Sequence, residues 1–278
     1  MTTAENVASL EKAGTLTLVG AGKMGAAMLE GWLARGLPAR NVTIFEPQPS
    51  NEVALLARKG VSLNPDKTRA PKSAVTVLAV KPQVATEVAP TLAVLVPENG
   101  LVISIMAGKT LAFLEAGFAH AAIIRSMPNT PAAIGRGITV AVANARVSPE
   151  QRNLADALLR ATGAVEWVND EKLMDAVTAV SGSGPAYVFL LAEAMAKAGM
   201  AAGLPSDLAV RLARVTVEGA GELMHRSPLD PATLRKNVTS PAGTTAAALE
   251  VLMAPGALDE LMTQAVAAAT KRSRELAG

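Results

Sequence analysis

A run of hydroxyl-bearing and small side chains precedes an alanine-rich helical pattern in the stretch VTSPAGTTAAALEVL (238–252). A helix usually needs one polar capping residue, because one side-chain oxygen satisfies one free backbone N–H at its start. Here Thr239, Ser240, Thr244 and Thr245 supply four hydroxyl groups. The surplus makes this stretch a candidate for ligand binding, with plain helix capping as the alternative.

A second candidate is the glycine-rich segment GAGKMG (20–25), which follows the apolar run LTLV and opens a helical pattern. This strand–turn–helix setting is the one that a G-x-G-x-x-G dinucleotide motif requires. Gly20 permits the tight turn, Gly22 lets the backbone approach a pyrophosphate, and Gly25 lets the helix pack against the strand. The helix start then faces the phosphates. The motif therefore predicts nucleotide binding.

Glu46 ends the next apolar run, 21 residues after Gly25. A carboxylate at this place accepts hydrogen bonds from the adenosine ribose of NAD and repels the 2′-phosphate of NADP, which favours NADH. A solvated turn residue is the other interpretation. Several following residues can contact a phosphate and leave both NADH and NADPH open: Gln48, Ser50, Asn51, Arg58 and Lys59.

Few side chains are available for acid–base chemistry. The chain has no cysteine, only His120 and His225 as histidines, and Tyr187 as its one tyrosine. Leu191 lies four residues after Tyr187, so the tyrosine–lysine pair of short-chain dehydrogenases is absent. Neither histidine has a partner pattern for a metal, and we expect no metal site. Reduction of an imine that arrives protonated suits such a chain, because it needs hydride and orientation more than a strong acid, and a threonine hydroxyl suffices.

The composition excludes other classes of protein. The 278 residues carry a net charge of +2 and only 3% aromatic side chains, without a dense basic block, which argues against nucleic-acid binding. The N-terminal MTTAENVASLEKAG lacks the basic start and apolar centre of a signal peptide. No apolar run is long enough to cross a bilayer. We expect a soluble, cytoplasmic protein with no membrane partner.

The first half of the chain alternates short β-branched runs with helical patterns, which predicts a parallel sheet with crossover helices. The runs are LTLVG (16–20), VTIF (42–45), AVTVLAV (74–80), LVISIM (101–106) and AIIRSM (122–127), followed by ITVAVAN (138–144) and AVEWV (164–168). Lys81 follows the third run and is expected at the carboxyl edge of the sheet, where ligands bind. Asn129 and Thr130 follow the fifth run at the same edge, to line the nicotinamide pocket or to cap the loop.

From about Asp170 the pattern is almost entirely helical. We therefore predict a dinucleotide-binding domain over 1–169 and a helical domain over 170–278, with substrate held where the two meet. The segment Ser181–Gly184 is too glycine-rich for a helix interior and leads into a long helix with Pro185 in its first turn. The helices are rich in alanine, glycine and methionine, which favours a dimer of interleaved helices. Sedimentation showing only a 28 kDa species would contradict that dimer.

Five segments together resemble the pyrroline-5-carboxylate reductase family: GAGKMG, AVKPQ (79–83), RSMPNTPAAIGRGIT (125–139), DAVTAVSGSGPAYVFLLAEAM (175–195) and VTSPAGTTAAALEVL. The resemblance extends over nearly all of the chain after Thr15. It implies reduction of L-Δ1-pyrroline-5-carboxylate to L-proline by hydride from NADPH or NADH, the last step of proline biosynthesis. It also implies an N-terminal Rossmann domain and an all-helical C-terminal dimerisation domain, which in this family forms an interlocked homodimer that is often assembled into a ring of dimers.

The motifs indicate part of the site, and the resemblance alone implies the rest, namely Ala79, Val80, Pro82, Ile105–Gly108, Asn237 and Glu171. The expected cofactor-binding residues are Gly20, Ala21, Gly22, Lys23, Met24, Gly25, Glu46, Ala79, Val80, Lys81, Pro82, Ile105, Met106, Ala107, Gly108, Asn129 and Asn237. The expected substrate-binding residues are Glu171, Ser240, Gly243, Thr244 and Thr245. The substrate's carboxylate suits the free amides of Thr244 and Thr245 at a helix start. Thr245 is then the expected catalytic residue, with a hydroxyl left to form a hydrogen bond with the imine nitrogen.

Two residues depart from the family pattern. Lys109 stands where a small apolar residue is usual, and Ala242 stands where the family has glycine. Lys109 adds charge near the predicted cofactor site, and Ala242 requires a backbone conformation that a residue with Cβ accepts.

Two other functions remain as alternatives. A β-hydroxyacid dehydrogenase shares the opening motif, but its catalytic lysine has only Lys197 as a counterpart, three helical turns further on. A non-catalytic nucleotide-sensing module would keep the first domain but has no use for the hydroxyl-rich loop.

Overall fold

The computed structural model describes Leu10, Glu11, residues 13–66 and residues 70–277. Residues 1–9 of the predicted first domain, and with them most of the segment tested as a signal peptide, lie outside the described residues. The described chain forms two compact units. The second is Ser183–Ala269, and the first comprises the described residues on either side of it. The predicted domain boundary between residues 169 and 170 stays a prediction.

The first unit is built on one eight-stranded sheet with the strand order β3-β2-β1-β4-β5-β6-β7-β8. Its strands are β1 Leu16–Val19, β2 Val42–Phe45, β3 Ser62–Leu63, β4 Val75–Leu78, β5 Leu101–Ser104, β6 Ala122–Met127, β7 Gly137–Ala143 and β8 Gly163–Trp167. All pairs are parallel except β6 with β7. The predicted parallel sheet is confirmed, while β3 was not anticipated because two residues are too short to show a periodic pattern.

Helices cover both faces of this sheet. They are α1 Lys23–Ala34, α2 Asn51–Ala57, α3 Ala85–Ala93, α4 Leu111–Gly117, α5 Pro149–Leu159 and α6 Met174–Val177. Successive strand residues point to opposite faces, so Leu18 lies in one buried cluster with α1 and α5, and Val19 lies in another with α3 and α4. Burial on both faces explains why the central strands are continuously apolar.

Trp32 belongs to the core, as its helical spacing predicts. Met28 and Trp32 are fully buried on one face of α1, and Met24 and Leu33 pack beside them. The indole N–H of Trp32 donates a hydrogen bond of 2.9 Å to the backbone carbonyl of Leu158 at the end of α5. The indole nitrogen is the only polar atom of this side chain, and the bond satisfies it while the apolar remainder of the ring packs in the core.

The segment before the second unit stays helical, which corrects the expectation for Ser181 and Gly182. After α6 the chain winds as a π-helix over Thr178–Gly182. The hydroxyl groups of Thr178 and Ser181 donate to the carbonyls of Met174 and Val177, at 2.8 and 2.9 Å. Such bonds to the preceding turn satisfy the polar side chains within a helix. The winding therefore continues to Gly182 and is not interrupted at Ser181.

The second unit is helical. It contains α7 Gly184–Ala201, α8 Ser206–Arg226, α9 Pro231–Asn237, α10 Thr244–Leu252 and most of α11 Leu258–Ala277. Pro185 lies in the first turn of α7, as predicted. The three buried apolar clusters found among the described residues all belong to the first unit. Large exposed apolar side chains of α7 and α8 include Val188, Phe189, Leu190, Leu191, Leu208, Val210, Leu212 and Val215. Among the helices described, none is both long and apolar enough to span a membrane.

The loop before α10 contains one strained residue. Ala242 has a φ of +57°, in the left-handed region that glycine adopts without cost. Its neighbour Gly243 has an extended φ of −84° and donates its N–H to the carbonyl of Ser240, at 3.1 Å. The tight turn from Ser240 to Gly243 therefore places a Cβ at the position where it is least favourable.

We expect Ala242→Gly to raise the free energy of unfolding, because it removes a left-handed alanine that costs about 1 kcal/mol. Urea denaturation, with a thermal melt beside it, measures the change. Ala248→Gly is the matched control, since Ala248 is exposed inside α10 and its replacement should lower stability by about 1 kcal/mol. A loss of stability at both positions would contradict the strain at Ala242.

Candidate active site

Four parallel strands of the first unit end in one row. The register aligns Val19 of β1 with Phe45 of β2 and Leu78 of β4, and Leu78 with Ser104 of β5. The next residue along each strand is one of the predicted cofactor-binding residues: Gly20, Glu46, Ala79 and Ile105. Strand pairing thus brings together segments that lie up to 85 positions apart, on the edge where open α/β sheets bind ligands.

The turn from β1 to α1 has no room for side chains at two of its glycines. Gly20 has a φ of +89°, and a Cβ placed on it would lie 2.6 Å from the carbonyl oxygen of Ala79. A Cβ on Gly25 would lie inside contact distance of the Gly20 carbonyl oxygen. These contacts confirm the predicted conformations: the chain turns sharply at Gly20, and α1 packs directly against the strand end.

The start of α1 fits a phosphate group. A Cβ on Gly22 would meet nothing within 4 Å, so the backbone there is open on its outer side. Gly22 caps α1 without a side chain, and the first helical bond runs from Ala26 N–H to Gly22 C=O, at 2.8 Å. The amides of Lys23, Met24 and Gly25 precede that bond and point out of the helix start, where an anion is stabilised.

A cavity of about 650 Å³ opens on this edge. Six of the predicted cofactor-binding residues line it: Gly20, Gly22, Glu46, Ala79, Val80 and Lys81. Its remaining lining residues include Gln48, Asn64 and Glu87. The volume lies within the range of cofactor pockets.

The carboxylate of Glu46 is hydrogen-bonded to the glycine-rich turn. Its Oε2 accepts a bond of 2.8 Å from the backbone N–H of Ala21, and its Oε1 accepts one of 3.0 Å from the N–H of Gln48. The carboxylate is therefore a fixed wall of the cavity and not a freely solvated turn residue. Ser50, one of the residues that can contact a phosphate, instead caps α2 by accepting from Val53 N–H.

Asn64 is a site residue that the sequence analysis missed. It follows β3 with a φ of +48°, and its side chain pairs with the backbone of Glu46 in both directions. Oδ1 accepts from Glu46 N–H at 2.9 Å, and Nδ2 donates to Glu46 C=O at 2.8 Å. The signal present in the sequence was the Asn-Pro pair at 64–65, which is typical of a turn.

The segments after β4 and β5 have different surroundings. Lys81 is exposed and caps the short 3₁₀ helix Pro82–Val84. In the segment Ile105–Gly108, Met106 is buried, and a Cβ on Gly108 would lie 3.2 Å from the carbonyl oxygen of Leu276. The ammonium group of Lys109 lies 4.6 Å from the centre of the Phe113 ring. This cation–π contact holds the added charge against α4.

Asn129 and Glu171 both make structural contacts in the first unit. Oδ1 of Asn129 accepts from the N–H of Ile138 at 2.9 Å, so the side chain closes the loop that leads to β7. Oε1 of Glu171 accepts from Arg125 Nη1 and from Leu111 N–H, both at 2.7 Å. Arg125 is buried on β6, and Glu171 neutralises it. The cofactor role of Asn129 and the substrate role of Glu171 stay predictions.

In the second unit, the hydroxyl-rich loop does not cap α10 with a side chain. The capping residue is Gly243, and the first helical bond runs from Ala247 N–H to Gly243 C=O, at 3.2 Å. Thr239 donates its hydroxyl to Arg235 C=O instead, at 2.7 Å. The hydroxyl groups of Thr244 and Thr245 have no hydrogen-bond partner within the described part of the chain. Asn237, the remaining predicted residue, is the last residue of α9.

Family models match both parts of the chain. Residues 171–276 match the model described as pyrroline-5-carboxylate reductase dimerisation, and residues 15–108 match that of the coenzyme F420-dependent NADP oxidoreductases. The pyrroline-5-carboxylate reductase of Pseudomonas aeruginosa is 41% identical over 94% of this chain and 96% of its own length. That of Synechocystis is 44% identical over 94% and 97%, respectively.

Solved structures agree with these matches. The pyrroline-5-carboxylate reductase of Coxiella burnetii aligns with a TM-score of 0.88 and 35% identity, over 96% of this chain and all of its own. The Plasmodium falciparum enzyme, solved with NADP bound, aligns with a TM-score of 0.80 and 28% identity, over 96% and 99%. With an ordered dinucleotide-binding edge and relatives similar over nearly their full lengths, the chain belongs to the pyrroline-5-carboxylate reductase family.

Proposed function

We propose that this chain reduces L-Δ1-pyrroline-5-carboxylate to L-proline with NADH or NADPH, the last step of proline biosynthesis. Family membership and the cavity at the sheet edge support the use of a nicotinamide cofactor. The observation that carries the substrate assignment is the start of α10, where amide donors and two hydroxyl groups are left without partners by the fold. The expected cytoplasmic location belongs to the same proposal.

The substrate's carboxylate is held by the start of α10. The amides of Thr244, Thr245 and Ala246 precede the first helical bond, so their N–H groups are available to an anion. The partial positive charge of the helix start adds to the attraction. Gly243 has no side chain beyond the backbone, and a carboxylate can therefore reach these donors directly.

The reacting bond is the C=N bond of the pyrroline ring. When bound, a reduced nicotinamide would supply the hydride for the imine carbon, and the electron pair of the C=N bond would move to nitrogen. Thr245 holds that nitrogen by accepting, at its hydroxyl oxygen, a hydrogen bond from the protonated imine N–H, which fixes the orientation of the ring. Because the imine arrives protonated, orientation and a polar contact suffice, and no strong acid is required of the chain.

The cofactor is held by the first unit. The amides at the start of α1 receive the pyrophosphate, and Glu46 receives the adenosine ribose. The segments Ala79–Pro82 and Ile105–Gly108 line the same edge, and Asn129 and Asn237 complete the proposed set. Ser240 and Glu171 are proposed to contribute to substrate binding.

The turnover prediction tests the reaction. Purified protein with NADH or NADPH should oxidise the cofactor in the presence of pyrroline-5-carboxylate and not with 3-hydroxy acids, because the proposed donors fit an imine next to a carboxylate. Absorbance of the reduced nicotinamide follows the reaction. Absence of turnover with both cofactors would refute the proposed function.

Thr245 tests the mechanism. Thr245→Ala should lower kcat about 10-fold or more, as expected for the loss of the hydrogen-bond partner of the reacting nitrogen. Thr245→Ser retains the hydroxyl and should stay within a few-fold of the wild type. Thr263→Ala is the control, since its hydroxyl only bonds to Asp259 C=O on exposed α11. An unchanged kcat in Thr245→Ala would remove Thr245 from the mechanism.

The second unit is proposed to form a homodimer, and such dimers are proposed to assemble into a ring. Phe189 is 63% exposed and Val215 is 57% exposed, and many other apolar side chains of α7 and α8 are open with them. Exposed apolar surface of this extent marks an interaction surface. The match to a dimerisation model over residues 171–276 points to a second copy of the chain as the partner.

We expect sedimentation velocity at micromolar concentration to show a species of at least twice the 28.4 kDa mass of the chain. Phe189→Asp should shift the distribution towards the monomer, because a buried charge without a partner destabilises an interface. Leu55→Asp, an exposed apolar position in the first unit, is the control. A wild-type chain that sediments only as the monomer would contradict the dimer.

A further inference from the structure

We propose that Glu46, held in place by Asn64, makes this chain select NADH over NADPH. The inference rests on the proposed function for its cofactor class and adds the residue pair that chooses between the two forms. It depends on the contacts of one carboxylate and one side-chain amide at the edge of the first unit.

Glu46 is held facing the cavity, because its carboxylate and its backbone are both hydrogen-bonded. Its two carboxylate oxygens accept from the N–H groups of Ala21 and Gln48, at 2.8 and 3.0 Å. Its backbone N–H and C=O are both bonded to the side chain of Asn64. A carboxylate fixed in this way keeps its negative charge facing any group bound beside the glycine-rich turn.

Asn64 suits this task by its chemistry. The last residue of β3, Leu63, pairs with Ile44 of β2, and the Asn64 N–H donates to Ile44 C=O at 2.8 Å. The chain then leaves the sheet through the left-handed φ of Asn64, which asparagine tolerates better than most residues. Because β3 has ended at this point, no backbone of that strand pairs with Glu46. The side-chain amide of Asn64 pairs with it instead, through one donor and one acceptor. Aspartate has no donor to offer in its ionised form.

The fixed carboxylate discriminates between the cofactors at the 2′ position of the adenosine ribose. Each carboxylate oxygen of Glu46 accepts one hydrogen bond from the backbone and retains acceptor capacity for a ribose hydroxyl of NADH. A 2′-phosphate offers no donor when ionised and brings a second negative charge next to the first. Release of that repulsion by a rotation of Glu46 would break the bonds to Ala21 and Gln48.

The other charged residues that line the described part of the cavity do not offset this effect. Among its described lining residues, the carboxylates are Glu46 and Glu87, and the cation is Lys81. Lys81 follows β4, which lies on the far side of β1 from β2, about 10 Å away at ordinary strand spacing. The Ser50 hydroxyl, which is a natural phosphate donor, is engaged at the start of α2.

The test is a fluorescence titration of the full-length protein with NADH and with NADPH, without substrate. We expect NADH to bind at least 10-fold more tightly. Glu46→Ser should reduce this ratio at least 10-fold by strengthening NADPH binding. A wild-type protein that binds NADPH as well as NADH, or better, would overturn the proposal.

The role of Asn64 is tested by Asn64→Gly, which removes the amide and accepts the left-handed φ. We expect its NADH dissociation constant to rise several-fold and the ratio between the cofactors to fall. Asn99→Gly is the matched control, because Asn99 is also left-handed, with a φ of +59°, and does not line the cavity. A ratio unchanged in Asn64→Gly would overturn the positioning role.

If Asn64→Gly does not fold, Asn64→Asp decides the same point, since it keeps the shape but cannot donate to Glu46 C=O. Because the titration contains no substrate, its result is separate from that of the turnover assay. A protein that binds NADH selectively but does not reduce pyrroline-5-carboxylate would refute the proposed function and leave the selectivity intact.

Discussion

The contact between the β1–α1 turn and the end of β4 constrains the whole nucleotide-binding edge. Gly20 lies so close to the Ala79 carbonyl that no side chain fits, and a side chain on Gly25 would collide with the Gly20 carbonyl. The close packing fixes where α1 begins relative to the sheet, and hence where its free amides point. Each predicted cofactor segment then takes its place from the register of the strand before it.

The same turn connects the cofactor-binding edge to the residues proposed to select between NADH and NADPH. Ala21 lies between two of the constrained glycines, and its N–H holds the carboxylate of Glu46. Asn64 holds the backbone of Glu46 from the other side, at the end of the short strand β3. Three hydrogen bonds therefore connect the ends of β1, β2 and β3 at the point where the ribose of a dinucleotide is expected. A bonded network of this kind resists local rearrangement more than a single exposed carboxylate would.

At the start of α10 in the second unit, backbone and side-chain groups have no hydrogen-bond partners among the described residues, in contrast to the bonded network of the first unit. There the proposed substrate site consists of groups that the fold leaves without partners, namely the amides at the start of α10 and the hydroxyl groups of Thr244 and Thr245. The preceding turn contains a left-handed alanine, and the apolar side chains of α7 and α8 are largely exposed. Strain and unsatisfied groups of this kind collect at functional sites, because a ligand or a partner supplies the missing contacts.

The sequence by itself determined the elements and the family. Strand and helix patterns, the glycine spacing and the motifs around 79–83, 175–195 and 238–252 are local, so each could be interpreted from neighbouring residues. The structure alone decided how distant groups pair. Asn64 and Glu46 are 18 positions apart, Glu171 and Arg125 are 46 apart, and no periodicity connects them. The π-helical winding of Thr178–Gly182 and the left-handed φ of Ala242 also depend on surroundings beyond the local pattern. Side-chain pairing and backbone strain follow from which elements the sheet brings together, and that is settled only when the whole unit packs.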